Sequence, residues 1–183
     1  MRRLIVLCLS MMLVATVASA CGVLTRLQLN SPAGEYIGQG KSLSYTPVDG
    51  SFLVTRNFDN GISVQFKSST NNDYWYLDFA SADRSPLVAG KYKGAERFGF
   101  QSAGCPGLSI TGCGRDCNTL TGFFEVKRVV YDIDGSVLEL WITFSQSYGG
   151  FQPALTGEVL INIAPALTPT ISESFGALKA RYR

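Results

Sequence analysis

Three cysteines within thirteen residues, Cys105, Cys113 and Cys117, are the side chains of this chain best placed by type and spacing to do chemistry. Clustered thiols bridge one another, hold zinc, or cycle between thiol and disulfide. The pattern Cys105-x7-Cys113-x3-Cys117 has no CxxC pair, and the chain has no histidine to complete a zinc set. Disulfide formation is the favoured chemistry, with Cys105 bridged to Cys113 or Cys117 as a clip between a loop and its hairpin. A bridge closing so short a loop is worth about 2–3 kcal/mol in the chain-entropy picture. No metal and no cofactor is expected.

The missing histidine reaches further. It removes Ser-His-Asp and Cys-His catalysis and every His-ligated metal site. Carboxylates remain. Glu125, Glu139 and Glu158 each fall on an expected strand, and a glycosidase needs two such groups at a fixed separation. The commoner role for such residues is at the surface. Asp132-Ile133-Asp134-Gly135-Ser136 has too few oxygen ligands for a calcium loop and reads as a turn. Tyr74-Trp75-Tyr76 is the aromatic cluster suited to sugar stacking: alternation buries Trp75 and turns Tyr74 and Tyr76 outward. Such tyrosines make a binding platform or ordinary cross-strand packing. Trp141 faces away from its strand's apolar stripe and is the other candidate for a binding surface.

The elements that must position these residues are strands. Residues 1–20 carry Arg2 and Arg3, an apolar run from Leu4 to Val17, and Ala18-Ser19-Ala20, the pattern of a cleaved signal peptide. The small-small-Cys ending also resembles a lipobox, in which Cys21 would be acylated and the chain anchored to a membrane. From Val23 onward, apolar and polar residues alternate in short runs: Val23 to Leu29, Phe52 and Val54, Ile62 to Phe66, Trp75 to Phe79, Leu138 to Phe144, and Val159 to Ile163. Asp49-Gly50, Asn60-Gly61 and Asp134-Gly135 each separate two runs and signal tight hairpins. About nine or ten strands with turns every 8 to 12 residues predict an all-β fold, a single antiparallel β-sandwich of jelly-roll or immunoglobulin-like type over 21–163. Residues 164–183 read as a linker-like tail.

Charge excludes further classes. The chain has 16 basic and 14 acidic residues, and losing Arg2 and Arg3 with the leader leaves 14 of each sign. No run of five like charges occurs, so no nucleic-acid footprint is expected.

The succession YIGQG (36–40), WYLDF (75–79), GKYKGAERFGFQ (90–101), PGLSITG (106–112), GRDCNTLTGFFEV (114–126) and PALTGEVLIN (153–162) resembles a secreted bacterial β-sandwich module often found beside immunoglobulin-like repeats. The resemblance spans roughly 23–163 and implies a fold and an extracellular context, with no particular activity. It departs in one respect: the module's Cys before the Pro-Ala-Leu-x-Gly motif is missing from Gln146 to Gly150, so its usual bridge to Cys117 is in doubt. Arg115 and Glu158 lie in the two best-matched motifs and are expected to pair, holding the loops at one end.

Taken together, the residues point to an exported, non-catalytic module, secreted or periplasmic, that binds a cell-surface glycan or an envelope protein. The alternatives are an envelope-anchored structural lipoprotein, with membrane contact only through a lipidated Cys21, and a carboxylate-based glycan-active enzyme.

Overall fold

The structure is a computed structural model and describes residues 22–165. The leader, Cys21 and residues 166–183 lie outside that range, and with them the export, lipidation and most of the tail expectations. Ten strands follow one another: β1 (Leu24–Asn30), β2 (Ser42–Tyr45), β3 (Gly50–Arg56), β4 (Ile62–Ser68), β5 (Tyr74–Ala80), β6 (Gly90–Arg97), β7 (Gly107–Gly112), β8 (Leu120–Tyr131), β9 (Val137–Tyr148) and β10 (Leu155–Ile163). No helix occurs among the described residues. Period-2 alternation is the cause. Ile62, Val64 and Phe66 of β4, Trp75, Leu77 and Phe79 of β5, and Leu140, Ile142 and Phe144 of β9 are all buried, with polar neighbours between most of them. Leu138, expected to extend the β9 stripe inward, is 44% exposed.

The strands form one sheet in the order β2-β1-β10-β9-β8-β6-β7-β5-β4-β3. The all-β expectation holds. The expectation of an antiparallel β-sandwich does not carry over in the same way: the ten strands form one continuous, mixed sheet. At its middle β7 resumes the direction of β6 after the loop 98–106, so the two pair in parallel at Glu96↔Gly107 and Arg97↔Leu108. The sheet curls until it is nearly closed into a barrel. Its two edges, β2 and β3, are consecutive in the chain. Tyr45 at the end of β2 ties that edge to the β4–β5 hairpin at the other end of the sheet: its ring stacks on Phe66 at 4.4 Å and its hydroxyl donates to Asp73 at 2.8 Å. The Trp75 indole N–H donates to the Tyr45 hydroxyl oxygen at 3.4 Å. Burial pushes the Tyr45 hydroxyl up to about 12, so it stays a neutral donor. Phe79 meets Phe124 at 5.2 Å and Phe144 at 6.0 Å, joining the two halves through the core.

The Asx-Gly pairs serve three different ends. Asp134-Gly135 lies in the β8–β9 turn, with Gly135 at φ 82°. Asn60-Gly61 closes β3–β4, but in a five-residue loop between the paired Arg56 and Ile62, built on Asn57, whose side-chain oxygen accepts from Gly61 N at 2.8 Å. Asp49-Gly50 closes no hairpin, because β2 pairs with β1 and β3 with β4. It turns the corner between the two edges, with Asp49 accepting from both Thr46 N and Thr46 Oγ1 at 2.8 Å.

Candidate functional site

The cysteine cluster does not assemble. Cys105, Cys113 and Cys117 are all free thiols, so the expected bridge from Cys105 is not made in this structure. Each lies in a different setting. Cys105 sits on the 98–106 loop, where burial and the neighbouring Glu96 push its thiol up. Cys113 sits just past β7 at φ 51°, its sulfur 3.6 Å from Asp73 Oδ1. Cys117 is fully buried, 3.9 Å from Gln146 Nε2, and burial, followed by the charges of Glu35 and Asp116, pushes its thiol up to about 11. A thiol so placed is not a nucleophile near neutrality. Among the described residues no three His, Cys, Asp or Glu side chains gather as a metal site.

Arg115 and Glu158 do not pair either. Arg115 Nε donates to Ile37 O at 2.6 Å and Nη1 to Cys113 O at 3.3 Å, fastening the 31–41 loop to the β7–β8 loop at one end of the barrel. Buried Glu35 completes that clasp, accepting from Ser31 Oγ, Ile37 N and Gly38 N at 2.7–2.8 Å. Glu158 is instead on the outer face of β10, ion-paired to Arg26 on β1 and accepting from Trp141 Nε1 at 3.3 Å. The loop-holding role expected of an Arg–Glu pair falls to Arg115 and backbone carbonyls.

The three aromatics expected to form a binding surface are divided between the two halves of the sheet. Tyr74 and Tyr76 stand outward on β5, 37% and 44% exposed, with ring centroids 5.8 Å apart. Lys67 and Gln65 of β4 are their register partners. Below them Asp78 accepts from Ser63 Oγ, and burial pushes its carboxyl above the ordinary 3.8. A raised carboxyl pKa means that the folded state favours the protonated form. The stability cost is therefore present above the folded pKa and lost as pH falls towards the ordinary value. Asp78→Asn is expected to raise stability at pH 7 by about 1 kcal/mol, roughly 2–4 °C in Tm. That gain should shrink in melts run at progressively lower pH; an undiminished gain at acid pH would contradict it.

Trp141 belongs to the other half, on the outer face of β2-β1-β10-β9-β8-β6. Register lays this face out in rows. One runs Ser42, Asn30, Thr156, Ser145, Phe123, Lys93; the next runs Ser44, Gln28, Glu158, Thr143, Glu125, Lys91. Besides half-buried Trp141, whose indole is engaged with Glu158, hydroxyls, amides and charges cover this face, and the Phe123 ring projects from it at 51% exposure. Phe123 separates two depressions. That on the β10 side holds about 480 Å³ and is lined by Gln28, Asn30, Thr143, Ser145, Thr156 and Glu158. That on the β6 side holds about 420 Å³ and is lined by Lys91, Lys93, Gly94 and Glu125.

The three strand carboxylates all sit on this face, and all are occupied. Glu139 pairs with Arg128, Glu158 with Arg26, and Glu125 with Lys127 at 2.8 Å and Lys91 at 4.0 Å. The Lys127 hydrogen bond holds the Glu125 carboxyl below its usual range, a base already engaged rather than a general acid. Glu125 and Glu158 flank Thr143 in the register, so their strands lie about 10 Å apart.

Phe123 was within reach of the sequence. In Phe123-Phe124-Glu125-Val126 the inward members are Phe124 and Val126, which leaves Phe123 outward with Glu125. What the alternation does not show is that β9, β10 and β1 place only small polar side chains beside it. Comparison with protein-family models, with curated proteins and with solved structures finds no match for this chain.

Proposed function

We propose that this protein is an exported, non-catalytic binding module that takes a carbohydrate chain on the outer face of β2-β1-β10-β9-β8-β6. The observation that carries this reading is Phe123, a ring held outward between two depressions, one lined largely by Ser, Thr, Asn and Gln and the other by Lys91, Lys93 and Glu125. A sugar ring presents a C–H face that stacks on an aromatic ring and a rim of hydroxyls that need donors and acceptors. Asn30, Thr143, Ser145 and Thr156 supply those beside the ring, while the sheet keeps them rigid without an ordering cost on binding. The paired state of Glu125, Glu139 and Glu158 supports binding over hydrolysis. Export is supported by the signal-peptide pattern of residues 1–20 and by the resemblance of 23–163 to a secreted module.

Phe123→Ala tests the reading. Calorimetry of the intact protein against soluble polysaccharides should show an affinity loss of at least tenfold, about 1.4 kcal/mol. Tm should fall by no more than about 2–4 °C, because Phe123 is about half exposed and only its cross-strand contacts are lost. Tyr74→Ala, on the other half, should bind as the parent does. Equal affinity for the parent and Phe123→Ala would overturn the proposal, as would a failure of every polysaccharide to bind.

A further inference from the structure

The two depressions beside Phe123 differ in charge, and the difference names a ligand class. The inference that follows rests on the carbohydrate-binding reading. On the β10 side the one charged lining residue, Glu158, is already matched by Arg26. On the β6 side Lys91, Lys93 and Glu125 line the wall, and Glu125 is shared by Lys127 and Lys91. Lys93 has no carboxylate within ion-pair distance among the described residues, and it is the register partner of Phe123. The irregularity between Lys93 and Ala95, with Gly94 at φ +64° and open space above it, breaks the even pleat at this point and leaves room beside the lysine. Across the face, Arg26, Lys91, Lys93, Lys127 and Arg128 stand against Glu125, Glu139, Glu158 and, at the end of β6, Glu96, which leaves one positive charge in excess.

We infer that the β6-side depression is a carboxylate subsite, and that the ligand is an acidic polysaccharide whose uronate unit meets Lys93 when a sugar stacks on Phe123. Paired strand neighbours have Cβ atoms about 5 Å apart, so a ring lying on Phe123 brings its substituents within reach of the Lys93 ammonium. The unmatched positive charge on this face complements an anionic chain and speeds its encounter at low salt.

The test compares polygalacturonate, alginate and hyaluronate, each beside its carboxyl-reduced form, by calorimetry on the intact protein at low and physiological salt. At least one acidic polymer should bind about tenfold tighter than its reduced form, with the preference narrowing as salt rises. Lys93→Gln should bring that polymer's affinity down to that of its reduced partner, while Lys67→Gln, on the opposite half, should leave the ratio unchanged. Phe123→Ala should weaken both forms. Equal binding of acidic and reduced forms, or a preference that survives Lys93→Gln, would overturn the uronate subsite and leave carbohydrate binding standing. If none of the three acidic polymers binds, the subsite is overturned; if the wider polysaccharide panel also fails, so is the reading beneath it.

Discussion

Gln146→Leu is expected to destabilise the protein by about 3 kcal/mol, although leucine is apolar, of similar volume, and enters a site that is almost wholly buried. Gln146 continues the inward stripe of Leu140, Ile142 and Phe144 and is 2% exposed. Its amide reaches across the barrel to β7, accepting from Ile110 N at 2.7 Å and donating to Ile110 O at 2.9 Å. This is the pairing that a neighbouring strand would give. β7 has β5 along one edge, but its other edge is covered by β6 only as far as Leu108. Ile110 would otherwise present a buried N–H and C=O with no partner on that side, and one amide side chain supplies both. Leucine fills the volume and strands both groups, each a desolvation cost of about 1–3 kcal/mol. Urea unfolding of the two proteins measures the difference; a loss below about 0.5 kcal/mol would show that the brace contributes little. Gln146→Glu sharpens the assignment. A carboxylate accepts from Ile110 N but cannot donate to Ile110 O, whereas its protonated form does both. Burial raises the folded-state pKa of such a glutamate, so its destabilisation should be full at neutral pH and fall away as pH drops towards the unfolded value.

Gln146 shows where the sequence stops informing. Which side of a strand faces the core is legible where alternation is clean, as in Trp75-x-Leu77-x-Phe79 and Leu140-x-Ile142-x-Phe144, but not at Leu138, which the pattern places inward and the structure exposes, nor in β7, which is buried along almost its whole length. Burial follows local parity, and parity is written in consecutive residues. Which strand lies beside which was not legible. β1 pairs with β10 through Gln28↔Glu158, and the parallel β6–β7 seam is specified by two register pairs. Nothing in either strand's own pattern announces such distant partners. The candidate site suffered accordingly. Tyr74, Tyr76 and Trp141 were rightly turned outward, yet only adjacency shows that they face different ways around the barrel. Motif position alone suggests Arg115 with Glu158, while register gives Glu158 to Arg26. The cysteines are close along the chain, but Cys117 lies inside the core and Cys113 turns towards Asp73. Phe123 needed both kinds of information: its parity was local, and the small polar residues around it came from three other strands.

The same distinction governs the effect expected at the glycines. If glycine were needed in Asn60-Gly61 and Asp134-Gly135 only for its tolerance of positive φ, alanine should cost a similar amount at both. The structure predicts otherwise. Gly135 takes φ +82° on an exposed turn, and its nearest neighbour outside the turn is the end of the Arg56 side chain at 3.8 Å. Gly135→Ala meets the left-handed penalty alone, about 1–2 kcal/mol. At the other pair, Asn60 takes the positive φ, at 58°, while Gly61 has none. Gly61 is glycine for lack of space: a Cβ there would overlap the Phe79 carbonyl oxygen and come within 2.9 Å of Ala80 Cα. Both are backbone atoms of β5, held by the Ile62↔Phe79 pairing on one side and by β7 on the other. A flexible side chain could move aside, but a paired strand cannot without parting β4 from β5 at the barrel wall. Gly61→Ala is therefore expected to cost 3 kcal/mol or more, at about the upper end of overpacking penalties and above the Gly135→Ala loss. Thermal melts of the two variants decide the matter. Equal losses would return both glycines to the role of turn residues; a larger loss at Gly61 shows that the close approach of β5 dictates the residue there.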